Sequence, residues 1–209
     1  MLEGVKVLTH SSIRIEKDQI IYIDPFKIDQ EYNDADFVFC THSHFDHFSI
    51  EDIKKVLTDE TAIITVPDTV SQLLKLGIDK KRIVTVKPNS KYCVNGLGFN
   101  TVSAYNLEKD FHPKKNNWVG YNINVGDYWY YIAGDTDNIK EAQKVICDVA
   151  FLPVGGTYTM NYKEAANLAN IIMPKVAIPI HYGSIVGFRD DAKLFASNLN
   201  TQIDCEIMI

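Results

Sequence analysis

The sequence of 209 residues has only four cysteines, and none of them is close to another. Cys40, Cys93, Cys147 and Cys205 lie far apart and form no C-x-x-C pair. Closely spaced cysteines are the usual signature of structural zinc modules and of disulfide-stapled secreted domains. The spacing observed here is instead typical of reduced thiols in a cytosolic protein.

Long hydrophobic segments are also absent. No run of 18 apolar residues occurs, which excludes a transmembrane helix by the usual length criterion. Residues 1–6 lack the basic start and apolar stretch of a secretory signal. We therefore expect a cytoplasmic protein with no membrane partner.

An excess of positive charge is missing as well. The chain has 21 Lys and Arg against 27 Asp and Glu, which gives a formal net charge of −6. Its basic clusters, at 54–55, 80–82 and 114–115, are short and scattered. This charge balance disfavours nucleic acid as a partner, because the overall field repels a polyanion.

The composition that remains is that of an ordinary globular protein, with 46% hydrophobic and 23% charged residues, 11 Gly and 7 Pro. Disorder, collagen and coiled coil are excluded. The length leaves room for one domain or two very small ones. We expect a single domain that spans 1–209.

The order of apolar segments predicts two sheets. The first half indicates antiparallel strands at 5–9, 13–16 and 20–23, and then β-α-β-α-β alternation with a helix at 50–58 capped by Ser49. The second half indicates antiparallel strands at 99–105, 118–125 and 128–133. A helix near 138–147, a strand at 149–153, a helix at 162–172 capped by Asn161 and a strand at 176–180 follow. These elements fit an α+β, four-layer αββα sandwich of two mixed sheets with outer helices.

One hexapeptide holds three of the six histidines and an aspartate, in the pattern His42-x-His44-x-Asp46-His47. It follows a predicted strand at 36–40. On an extended stretch, residues i and i+2 point the same way, so His42 and His44 can bind one ion together. A turn after Phe45 would direct Asp46 and His47 at a second ion. Imidazole and carboxylate ligands favour zinc, iron or manganese.

Three more candidate ligands stand near the ends of later strands: His112, Asp135 and His181. Each of them alone is more readily interpreted as a hydrogen-bonded polar residue. Together with the hexapeptide they complete a ligand set.

In this order of motifs the chain resembles the metallo-β-lactamase-fold hydrolases. The resemblance implies one metal on His42, His44 and His112 and another on Asp46, His47 and His181, with Asp135 bridging the two. It extends to the segments 9–12, 21–25, 152–157 and 178–183, which are similar to those of a small bacterial and archaeal branch that includes ascorbate-6-phosphate lactonase.

The activity implied by the resemblance is metal-dependent hydrolysis. Two divalent cations, zinc or alternatively manganese or iron, would hold a metal-bound hydroxide as the nucleophile. Asp46 would orient it and pass a proton to the leaving group. The substrate expected is a small anionic molecule with an ester, lactone or phosphodiester bond.

Several residues are candidates for substrate contact around this site: His10, Asn106, Gly156, Thr157, Tyr158 and Tyr182. His10 is either a hydrogen-bond partner beside the metals or a simple turn residue, and Asn106 is either a substrate ligand or a turn residue. The Gly155-Gly156 turn can either cradle an anion with its backbone N–H groups or serve only as a tight strand-to-helix turn.

Other functions on the same fold remain as alternatives. A ribonuclease Z-like endonuclease is disfavoured because no RNA-gripping insertion or basic surface is evident. A flavodiiron oxidoreductase is disfavoured because those proteins have His-x-Glu-x-Asp at the first motif, and this chain has His44 in place of the Glu. Iron dioxygenase chemistry is disfavoured only by the resemblance to the branch named above. A non-catalytic binding protein is disfavoured by the intact ligand set. Whether the chain forms a homo-oligomer is open.

Overall fold

The computed structural model describes residues 1–209, and the chain divides into two compact units. One unit comprises residues 2–87, and the other comprises residues 88–209 together with Met1. Each unit contains one mixed sheet, so the predicted pair of mixed sheets is confirmed. The single domain over 1–209 stays a prediction. No helix is both long and apolar enough to cross a bilayer.

The unit of residues 2–87 contains a six-stranded sheet in the sequential order β1-β2-β3-β4-β5-β6. The first three strands are antiparallel, as predicted, and the next three extend the sheet in parallel. Its elements are β1 (Val5–Thr9), β2 (Ser12–Glu16), β3 (Ile20–Ile23), β4 (Ala35–Phe39), α1 (Ile50–Val56), β5 (Leu57–Thr65), α2 (Val70–Lys75) and β6 (Ile83–Thr85).

Helix α1 begins where the sequence predicts, because the Ser49 side chain accepts a hydrogen bond from the backbone N–H of Asp52. The helix ends at Val56, two residues earlier than predicted, since Leu57 already has extended backbone and starts β5. Ile53 and Val56 of the helix are buried in a cluster with Val38 of β4. This packing holds α1 against the sheet directly after the His-rich segment.

We expect replacement of Asp52 by alanine to lower the free energy of unfolding at pH 7 by about 2 kcal/mol. Burial alone would raise the pKa of Asp52. Hydrogen bonds from Ser49, Lys55 and the backbone N–H groups of Lys27 and Ile28 outweigh burial and lower it. A lowered pKa in the folded state means that this stability is present at neutral pH and is lost as pH falls through the folded-state pKa.

Urea unfolding of the wild type and the Asp52→Ala variant at pH 7 and at acidic pH measures this effect. The difference between the two proteins should shrink in acid. Asp59→Ala, at an exposed aspartate of the same unit, is the control. An equal difference at both pH values would contradict the assignment.

The unit of residues 88–209 contains a seven-stranded sheet in the order β13-β12-β11-β10-β9-β8-β7. The pairs from β7 to β10 are antiparallel and those from β10 to β13 are parallel. Its elements are β7 (Lys91–Val94), β8 (Leu97–Ser103), β9 (Val119–Val125), β10 (Tyr128–Ile132), β11 (Val149–Pro153), α3 (Tyr162–Ile172), β12 (Val176–Ile180), α4 (Asp190–Ser197) and β13 (Asp204–Cys205).

The helix predicted near 138–147 is wrong. The structure has only a short 3-10 turn there, Ala142–Lys144. The buried apolar residues of this stretch are Ile139, Ala142 and Val145, which recur every three residues. A 3-10 turn has three residues per turn and is rarely longer than one turn, so this spacing does not sustain an α-helix.

Candidate metal centre

The His-rich segment begins three residues after the end of β4 and folds into a turn. The carbonyl oxygen of His44 accepts hydrogen bonds from the backbone N–H groups of His47 and Phe48, at 3.0 and 2.8 Å. Before the turn, His42 Nε2 lies 3.1 Å from His44 Nδ1. After it, His47 Nε2 lies 3.6 Å from Asp46 Oδ2. The turn therefore brings His42 close to His44 and Asp46 close to His47, and the division of these donors between two ions stays a prediction.

Asp24 holds two of these histidines in a fixed orientation. Its buried carboxylate accepts from the backbone N–H of Thr41 at 2.8 Å and from the Thr41 hydroxyl at 2.7 Å, and it lies 2.7 Å from His47 Nδ1. Burial raises the pKa of Asp24, and His47 and Thr41 oppose that rise. Since the Thr41 hydroxyl donates its proton to Asp24, its oxygen accepts from His42 Nδ1 at 3.0 Å. The Nε2 atoms of His42 and His47 are therefore left as electron-pair donors.

His10 and His47 both lie against the carboxylate of Asp46. His10 is 1% exposed, and its Nε2 is 3.3 Å from Asp46 Oδ2. Its backbone has a φ of +52°, because it forms the turn between β1 and β2. His10 is therefore a turn residue whose ring faces Asp46, and its role beside the metals stays a prediction.

In the unit of residues 88–209, Asp135 lies between the other two predicted ligands, His112 and His181. Its Oδ2 lies 3.2 Å from His112 Nε2 and 3.1 Å from His181 Nε2. Asp135 follows β10 and His181 follows β12, so both stand at the carboxyl ends of strands of one sheet. All three side chains are almost completely buried.

Asn106 fixes the ring of His112. Its Oδ1 accepts from the backbone N–H of His112 at 3.0 Å and lies 3.0 Å from His112 Nδ1. Its Nδ2 donates to Asp137 Oδ1 at 3.1 Å and to the carbonyl oxygen of Tyr158 at 2.9 Å. Both ends of the amide are therefore engaged within the protein. Contact of Asn106 with substrate stays a prediction.

The donor atoms of both units fit divalent cations. His47 Nε2 and His112 Nε2 are electron-pair donors that lie within 3.6 Å of carboxylate oxygens. Two such atoms repel each other unless a proton or a cation lies between them. A tetrahedral ion with bonds of about 2.0 to 2.1 Å places its ligand atoms about 3.3 Å apart. Nitrogen and oxygen donors without thiolates suit zinc, manganese or iron.

The predicted anion cradle at Gly155-Gly156 has the geometry of a tight turn. The backbone N–H of Gly156 donates to the carbonyl oxygen of Met160, and the backbone N–H of Thr157 donates to the carbonyl oxygen of Gly155, each at 3.0 Å. A Cβ at Gly155 would collide with the carbonyl oxygen of His181, which explains why glycine stands there. These amides are engaged in the turn, so the second of the two interpretations describes the backbone observed.

The two predicted tyrosines differ in what they contact. Tyr158 is half-buried, its ring packs edge-on against Phe111 at 4.6 Å, and its carbonyl oxygen lies 3.2 Å from His112 Nδ1. Tyr182 is buried, and its hydroxyl donates to the carbonyl oxygen of Ile209. Substrate contact by Gly156, Thr157, Tyr158 and Tyr182 stays a prediction.

Residues that hold the ligands are missing from the sequence prediction, among them Asp24, Thr41 and Asp137. Asp24 precedes Pro25, and nothing in its local sequence points to His47. Asp137 has a signal of its own, since it lies two residues after Asp135 in the run Gly-Asp-Thr-Asp. Alternation on an extended stretch places two such aspartates on the same side.

The chain is similar to a known protein family and to proteins described as metal-dependent hydrolases. The family described as "Beta-lactamase superfamily domain" matches residues 4–181. The UPF0173 metal-dependent hydrolase of Pyrococcus abyssi is 29% identical over 195 residues, which cover 86% of this chain and 84% of that protein.

Two solved structures share the fold over nearly the whole chain. A protein of Parabacteroides distasonis, described as a metal-dependent hydrolase, has a TM-score of 0.82 and 28% identity, over 98% of this chain and 91% of that one. A metallo hydrolase of Ignicoccus hospitalis has a TM-score of 0.79 and 23% identity, over 98% of this chain and 94% of that one. The predicted α+β metallo-β-lactamase fold is confirmed.

Proposed function

The chain belongs to the beta-lactamase superfamily domain family and is a metal-dependent hydrolase, and we propose that it uses two divalent cations to cleave a small anionic substrate. The bond cleaved is an ester, lactone or phosphodiester. The proposed ligands are His42, His44, Asp46, His47, His112, Asp135 and His181, and zinc is the cation that we favour.

One observation carries the proposal. In both units, a protein oxygen accepts a hydrogen bond from the Nδ1–H of a histidine whose Nε2 lies close to a carboxylate oxygen. Asp24 does so for His47 beside Asp46, and Asn106 does so for His112 beside Asp135. Histidines that bind metals nearly always donate their second N–H to such a partner, which fixes the tautomer and the ring.

When bound, the cations would lower the pKa of a water molecule towards neutrality and polarise the oxygen of the scissile bond. The protein contributes the orientation of these groups. Asp46 is 7% exposed and lies within 3.6 Å of both His10 Nε2 and His47 Nε2, so its carboxylate is held on two sides. We propose that Asp46 orients the attacking water and afterwards carries a proton to the leaving group.

We expect Asp46→Asn to lower kcat by about 10²-fold or more while the chain stays folded, because the amide cannot accept and deliver that proton. The measurement uses a chromogenic phosphodiester, a nitrophenyl ester and a γ-lactone, each at saturating concentration. Circular dichroism and the cation content of the variant separate loss of chemistry from loss of metal. Asp36→Asn, at an exposed aspartate of β4, is the control. Unchanged turnover would remove Asp46 from the mechanism.

A further inference from the structure

The loop that carries His112 is held by a partly buried ion pair. Lys109 Nζ lies 2.6 Å from Asp137 Oδ1 and donates to the carbonyl oxygen of Thr159 at 2.9 Å. The other oxygen of Asp137 accepts from the backbone N–H of Leu107 at 2.8 Å. One carboxylate thus joins the loop of residues 106–112 to the loop that follows β10, and Lys109 adds the segment at Thr159.

This ion pair also determines which way the Asn106 amide points. Asp137 Oδ1 and the carbonyl oxygen of Tyr158 only accept hydrogen bonds, so the atom that faces them must be the NH₂ group of Asn106. The amide oxygen is then directed at His112. A reversed amide would place two acceptors against each other at two contacts.

The orientation of Asn106 in turn determines the tautomer of His112. His112 Nδ1 lies 3.0 Å from the amide oxygen of Asn106 and 3.2 Å from the carbonyl oxygen of Tyr158. Both are acceptors, so Nδ1 carries the proton. Nε2, which lies 3.2 Å from Asp135 Oδ2, is then the electron-pair donor of the ring.

We infer that Lys109, Asp137 and Asn106 form a latch that positions His112 for cation binding. The latch fixes the His112 tautomer, and it also joins the His112 loop to the Asp135 loop, because Asp137 lies two residues after Asp135. The inference deepens the proposed function and rests on it for the role of the cation. The three latch residues act through His112 and are positioning residues.

The metal-free protein tests the latch independently of catalysis. In wild type, we expect nitrogen NMR of the imidazole to show His112 protonated at Nδ1, and hydrogen exchange to show a protected His112 amide. Asn106→Leu removes the acceptor at nearly constant volume, and we expect a mixture of tautomers and at least tenfold faster exchange. Lys109→Met should accelerate exchange of the His112 and Leu107 amides, and Lys109→Arg should restore part of the protection.

Chelator competition with zinc then measures the consequence. Loss of an outer hydrogen-bond partner of a ligand lowers metal affinity by about 10- to 100-fold, and we expect this range for Asn106→Leu and Lys109→Met. Lys175→Met is the matched control, since Lys175 forms a 2.8 Å ion pair with Asp148 that does not involve the His112 loop. This control should bind zinc as the wild type does.

The outcomes separate the latch from the proposed function. Wild-type tautomer and amide protection in both Asn106→Leu and Lys109→Met would overturn the latch. If Asn106→Leu does not fold, Lys109→Met decides, because its side chain is 26% exposed and can be replaced with less disturbance. If the NMR and exchange changes occur but wild type binds no divalent cation, the latch stands and the proposed function fails.

Discussion

Asp135→Ala is expected to lower zinc affinity more than any other single replacement in this chain. Its Oδ2 lies 3.2 Å from His112 Nε2 and 3.1 Å from His181 Nε2, and its negative charge would offset the positive charge of a bound cation. Loss of an outer partner lowers affinity by about 10- to 100-fold, so loss of this carboxylate should exceed that range. We expect the zinc-dependent rise in Tm of the wild type to disappear in the variant.

Chelator competition and thermal unfolding with and without zinc measure this effect. Asp135→Asn keeps the shape of the side chain without its charge. Its loss of zinc affinity should also exceed the 10- to 100-fold range. Asp127→Asn, at an exposed turn aspartate of the same unit, is the control. Wild-type zinc affinity in Asp135→Ala would contradict the assignment of this residue as a ligand.

Asp24→Ala is expected to destabilise the chain most strongly, even without metal. The carboxylate is completely buried, and three donors converge on it: the backbone N–H and hydroxyl of Thr41 and the Nδ1–H of His47. Removal of one partner from a buried network leaves the others unsatisfied and costs about 3 to 5 kcal/mol. His47 would also lose the acceptor that fixes its tautomer.

Urea unfolding in the presence of a chelator measures the structural effect of Asp24→Ala separately from metal loss. Asp18→Ala, at an exposed aspartate in the turn between β2 and β3, is the control. The zinc affinity of the variant, where it remains folded, should fall as well. A free energy of unfolding within about 0.5 kcal/mol of wild type, as for an ordinary surface substitution, would refute this account of Asp24.

The elements predicted most accurately are those with a continuous local signal. The strands β11 and β12 and the helix α3 have the predicted bounds, because every residue of both strands is buried and Asn161 with Glu164 forms a capping box. The helix prediction for 138–147 was wrong because apolar residues spaced three apart resemble a helical pattern over a short window.

In the candidate site, too, the residues with a local sequence signal could be predicted and those without one could not. The His-rich hexapeptide is visible in sequence because three imidazoles in six residues are rarely found without a ligand. The residues that hold those ligands are ordinary polar residues whose partners are distant in sequence. Asp24 is 17 residues from Thr41, and Lys109 is 28 residues from Asp137. Only the folded chain brings these partners together, so no local pattern identifies them, apart from the position of Asp137 two residues after Asp135.

The number of divalent cations per chain tests the central claim most directly. Elemental mass spectrometry on protein purified without a histidine tag, before and after reconstitution with zinc and removal of excess metal, gives this number. The account predicts about two cations per wild-type chain, as in two-metal hydrolytic sites. No bound cation even after reconstitution would contradict it.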